Sequence, residues 1–96
     1  MSLPKGVAKA DNGAIFMLRD RDELEGWTDA QLRERLRFVK AYTDPGSAGL
    51  EFIRSYVRMI AMRERRALVF EIDRRARIAH ELTKQQHNNN DRKDTT

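Results

Sequence analysis

Ninety-six residues make a single domain with a modest core. With 40% apolar residues, 35% charged residues and no cysteine, the chain excludes a disulfide framework and a thiolate metal site, and no apolar run approaches the roughly 20 residues that cross a bilayer. The net charge of +4 gathers in one stretch: residues 52–79 hold Arg54, Arg58, Arg63, Arg65, Arg66, Arg74, Arg75 and Arg77 against Glu64, Glu71 and Asp73. Such a stretch attracts polyanions or an acidic protein surface.

Residues 1–13 mix Pro4, Gly6 and Asn12-Gly13 with little periodicity, and they read as a flexible lead-in ending in a turn. They lack the apolar stretch of a signal peptide, so the expected address is the cytoplasm. Ala14-Ile15-Phe16-Met17-Leu18 is a continuous apolar run, either a strand or a turn of buried helix. No second strand-like run stands out. If the run is a strand, its expected partner is another copy or another protein; if not, it is an extended arm on the helices.

A short helix is predicted from Thr28 to about Tyr42. Thr28 and Gln31 have the spacing of a capping box, and Trp27 precedes the cap where it can pack on Leu32. Leu32, Leu36 and Val39 continue that face, with Arg33, Arg35, Arg37 and Lys40 mainly outside it. Asp44-Pro45-Gly46-Ser47 is a turn in which either Asp44 or Ser47 caps the next helix. No proline follows, and no glycine after Gly49, so a long helix is expected over residues 47–82, about 54 Å at about 1.5 Å per residue. Residues 83–96 are polar and aperiodic, and they read as a disordered tail.

The resulting expectation is an all-α fold: a helical domain over residues 14–82, with the short and long helices forming an antiparallel hairpin. Leu50, Ile53, Val57 and Ile60, widened by Phe52, Tyr56 and Met59, cover about half of the long helix. One short helix cannot hide so broad a face. A homodimer along the long helix is therefore expected, its seam made by Ile53, Val57, Ile60, Leu68, Ile72, Ala79 and Leu82. Glu64 interrupts the stripe and is expected to pair with an arginine across that seam, where it could fix register.

Catalysis has little to work with. His80 and His87 are the only histidines, and no metal-binding, phosphate-loop or nucleophile–base motif is present. A non-enzyme without cofactor or metal is expected, acting by binding. Phe52, Tyr56, Met59 and Met62 are the candidate apolar anchor for a protein partner, with Arg58, Arg65 and Arg66 as rim charges. The alternative is DNA or RNA binding through rows formed by Arg54, Arg58 and Arg65, and by Arg66 and Arg77, which could track phosphates. A plainer reading of those rows is a solvated helix face. A third possibility is a self-assembling structural subunit.

The sequence also resembles a family. Glu23-Leu24-Glu25, Thr28, Leu32-Arg33 and Phe38-Val39 look like the first helix of the TraM quorum-sensing antiactivators. Leu50-x-Phe52-Ile53-x-Ser55-x-Val57-x-Met59-x-Ala61 is similar to the start of their long helix. The resemblance covers about half the chain. It departs in a shorter connection between the helices and in a strongly basic long helix. It implies a dimeric helical hairpin that silences conjugation genes by sequestering a DNA-binding activator, not by touching DNA.

Overall fold

A computed structural model describes the backbone of residues 3–95 and the side chains of residues 3–84. It begins with a β-hairpin, which corrects the all-α expectation. Strand β1, Val7–Lys9, pairs antiparallel with β2, Ile15–Met17, with Val7 opposite Met17, Ala8 opposite Phe16 and Lys9 opposite Ile15. The Asn12-Gly13 turn joins them. Gly13 adopts φ +95°, a conformation that favours glycine, and its N–H donates to the Ala10 carbonyl at 2.9 Å.

The partner of the 14–18 run thus lies in the same chain, within the segment expected to be a flexible lead-in. Ala8 in β1 and Ala10 just beyond it are buried on the inward face, as is Phe16 opposite Ala8. Alanine is a weak strand signal, so the alternation was invisible by composition. A lone hairpin is marginal in water. Here its inner face is covered: Phe16 meets Phe38 at 5.8 Å and Tyr42 at 5.2 Å between ring centroids.

One turn of helix follows, α1 (Arg21–Glu25), which buries Leu24. Helix α2, Asp29–Thr43, starts at Thr28 with the capping box present in full: Gln31 N–H donates to Thr28 Oγ1 at 3.1 Å, and Thr28 N–H to Gln31 Oε1 at 2.8 Å. Leu32 and Val39 are buried on its inner face.

The long helix does not begin at the turn. Residues Ala48–Phe52 form a short 3-10 helix after Ser47, whose hydroxyl donates back to the Asp44 carbonyl and makes no cap bond; Ile53 is extended, and α3 spans Ser55–Thr95. The break has a physical cause. Asp11 N–H donates to the Phe52 carbonyl at 2.9 Å, so that carbonyl is diverted from the bond a continuous helix would make. Residues 83–95, expected to be a disordered tail, continue the backbone of α3, in a stretch with neither proline nor glycine; Thr96 lies outside the described residues.

The inward side of α3 presents Val57, Ile60, Ala61, Glu64, Leu68 and Glu71, all buried. It packs against α2, α1 and both strands. This corrects the expected seam. Val57, Ile60 and Leu68 belong to the core of one chain, and Ile53 and Ile72 pack against it; only Ala79 and Leu82 of that set are exposed. The dimerisation expected along the long helix is not shown. The hairpin and α1 supply the cover that a two-helix fold lacks. None of the helices is long and apolar enough to cross a membrane among the described residues.

Candidate interaction surface

Two buried carboxylates decide which arginines are structural. Glu64 is fully buried and accepts from Met17 N–H at 3.1 Å, Arg19 Nε at 3.0 Å, and Arg35 through Nε at 2.6 Å and Nη2 at 3.0 Å. It ties β2, α2 and α3 together within one chain, where pairing across a dimer was expected. Arg35, expected outside the apolar face of α2, is folded inward over Phe38, 4.8 Å from its ring centroid.

Two turns further, Glu71 accepts from Arg74 at 3.0 and 2.8 Å and from Arg75 at 2.8 Å. The hydrogen bonds from Arg74 outweigh the opposing effect of burial, and with Arg75 they lower the Glu71 carboxyl from its ordinary 4.5 to about 2. Arg75 also donates to the carbonyls of Leu24 and Trp27, at 3.0 and 2.8 Å, and to Asp29 at 2.7 Å. It thereby satisfies acceptors at the end of α1 and pins that end to α3. Arg65 bonds Thr43 and Asp44 at the end of α2.

Three members of the expected arginine rows have acidic partners, two of them in exposed surface pairs. Arg65 is engaged, Arg54 pairs with Asp11 at 3.3 Å, and Arg77 pairs with Asp73 at 3.7 Å. Phe52, one of the four expected anchors, is half-buried and packed on the core. Tyr56, Met59 and Met62 are exposed, as are Arg58 and Arg66.

The outward side of α3 adds residues the sequence reading missed. Val69 and Phe70 are exposed, Phe70 at 56% and Tyr56 at 55%. At about 100° per residue, Met59, Arg66 and Phe70 fall within about 40° of one another, opposite Val57, Ala61 and Leu68. That spacing of seven and four was legible, but the interruption at Glu64 drew attention to the inner seam instead. Arg58, Arg63 and Arg66 have no carboxylate within 4.0 Å among the described residues. Between α1 and α3, Arg19, Arg21, Arg63 and Arg66 rim a groove of about 330 Å³ floored by Leu24, Ala67 and Phe70.

The surface is therefore apolar and cationic at once, which suits adhesion to a surface of complementary character. No cluster of three or more His, Cys, Asp or Glu positioned for a metal occurs among the described residues. His80 is exposed on α3, and the side chain of His87 lies outside the described residues. No family model, curated protein or solved structure matches this chain.

Proposed function

We propose that this chain is a small regulatory protein that captures a protein partner on the outward side of α3. It would sequester a transcription regulator in the manner of the antiactivators whose helix pattern it resembles. The observation that carries the reading is the interleaving of exposed Tyr56, Met59, Met62 and Phe70 with Arg58, Arg63 and Arg66, which have no carboxylate within 4.0 Å among the described residues. Exposed aromatic and methionine side chains are costly in water and adapt to a partner. Such arginines among them favour an acidic partner and set its orientation and approach rate. An amphipathic acidic helix meets both demands.

The test is a photo-crosslinking amino acid placed at Met62 and expressed in the native host. The expected result is a protein adduct that survives nuclease and disappears when Met59 and Phe70 are changed to Glu, with the helical signal intact. An adduct that nuclease destroys, or one indifferent to those substitutions, overturns the reading.

One observation favours nucleic acid as the second reading. Arg33, Arg37 and Lys40 lie at i, i+4 and i+7 along one exposed face of α2, and none has a carboxylate within 4.0 Å among the described residues. Under this reading, binding to a labelled duplex weakens steeply with salt, and Arg33→Ala with Arg37→Ala lowers that slope by about two. No binding at low salt removes it.

A further inference from the structure

The two edges of the β-hairpin are treated differently. Gly6, Ala8 and Ala10 face Leu18, Phe16 and Ala14 in the hydrogen-bonded positions, with Leu18 N–H donating to Gly6 and Ala10 N–H to Ala14. Residues 7, 9, 15 and 17 therefore aim their backbone groups outward. On β2 two of these four groups are occupied by side chains of the helices: Met17 N–H by Glu64, and the Ile15 carbonyl by Arg35 Nη2 at 2.7 Å. On β1, Val7 N–H turns to the Pro4 carbonyl at 3.1 Å. The Val7 carbonyl and both backbone groups of Lys9 have no partner among the described residues.

Beside this open edge lies a cleft of about 320 Å³ to which Leu3, Lys5, Tyr56 and Val57 contribute. Leu3 and Tyr56 are exposed apolar walls. Lys5 and Lys9 are exposed cations without a carboxylate within reach among the described residues.

We propose that the β1 edge is a docking site for an extended acidic segment of a partner protein, which adds as a third strand. The free groups at Val7 and Lys9 supply main-chain hydrogen bonds at strand spacing, as in other strand-addition complexes. Because side chains alternate along a strand, every second residue of the guest enters the Leu3–Tyr56 cleft and should be apolar. The others approach Lys5 and Lys9 and should be acidic. A second copy of this chain is disfavoured, since pairing two β1 edges brings lysines together; lysine on an edge blocks self-pairing. This site is separate from the helix surface except for Tyr56, and it stands whether or not that surface captures a helix.

The experiment is an amide-resolved NMR titration of the full chain with a short capped peptide alternating Glu and Val, and with its Lys/Val counterpart. The expected result is a downfield shift of the Lys9 amide with the acidic peptide alone. Lys9→Pro removes the donor while leaving the ladder bonds of β1 intact, because proline is tolerated on an edge; it should weaken binding about fivefold, the worth of one net hydrogen bond. If that variant loses its dispersed spectrum, Lys5→Glu with Lys9→Glu decides, and it should reverse the preference to the basic peptide. An unmoved Lys9 amide, equal binding of both peptides, or a Lys9 shift that grows with protein concentration alone overturns the proposal. The last outcome would assign the edge to a second copy.

Discussion

Arg35 and Glu64 form a two-bonded ion pair, at 2.6 and 3.0 Å, that also closes the outer edge of β2. Glu64 accepts from Met17 N–H while Arg35 donates to the Ile15 carbonyl. Together they offer β2 one acceptor and one donor, as a neighbouring strand would. An edge that could template aggregation is plugged by side chains from two helices.

Glu64→Ala should consequently be among the most damaging single changes. It leaves Arg19 and Arg35 without their shared carboxylate and Met17 N–H unpaired. Removing one partner of a buried pair costs about 3–5 kcal/mol, far above the ~0–1 kcal/mol of an exposed pair. Glu64→Gln should cost less, since its amide oxygen still accepts. Urea denaturation gives both values; a loss below about 1 kcal/mol for Glu64→Ala contradicts the buried hub.

Glu71 gives a pH dependence with a definite sign. Its carboxyl is lowered from 4.5 to about 2, chiefly by hydrogen bonds from Arg74. A group depressed on folding stabilises the fold fully above its unfolded value, and that contribution fades as pH falls towards the folded value. Melting temperature should therefore drop faster between about pH 4.5 and pH 2 in the natural chain than in Glu71→Gln. Parallel melting curves across that window would show that Glu71 does not anchor α3 as a carboxylate.

Leu68 and Leu82 look alike as apolar positions of a helix, but they occupy opposite situations. Leu68 is fully buried, whereas Leu82 is 56% exposed on the part of α3 that extends past Arg75. Leu68→Ala should cost about 2–5 kcal/mol through lost burial and a cavity. Leu82→Ala should stay within about 0.5 kcal/mol. Denaturation midpoints for the two variants at low protein concentration make the comparison, and similar losses would mean the overhang is packed.

This pair also shows why part of the fold was legible and part was not. Local signals sufficed where the physics is local: Thr28 and Gln31 announce the start of α2 because the cap closes within one turn. The hairpin is different. Val7-Ala8-Lys9 gains its identity only from Phe16 across the turn and from the helices beneath, and alanines give no strand pattern. Arg35 was misplaced because periodicity scores every arginine as outward, while Glu64, distant in sequence, makes burial of this one favourable. Phe70 was missed because the apolar pattern was followed along the inner seam past Glu64, while Met59, Arg66 and Phe70 share the opposite side. The start of α3 depended on Asp11 capturing the Phe52 carbonyl, a contact no local pattern encodes.

Gly49 and Gly46 separate two reasons for glycine in one connection. Gly46 has φ +79° and open space where a Cβ would lie, so its constraint is conformational. Asparagine, which tolerates that region, should replace it at little cost, whereas Gly46→Ala should cost about 1–2 kcal/mol. At Gly49 a Cβ would collide with the Ala41 carbonyl oxygen and sit 2.9 Å from Tyr42 Cδ1. The constraint is space, because the 3-10 turn lies directly on α2. Alanine and asparagine should then both destabilise, by about 1–3 kcal/mol, as overpacked sites do. Thermal melts of the four variants read the distinction directly. Rescue of position 49 by asparagine would mean that the turn stands off α2.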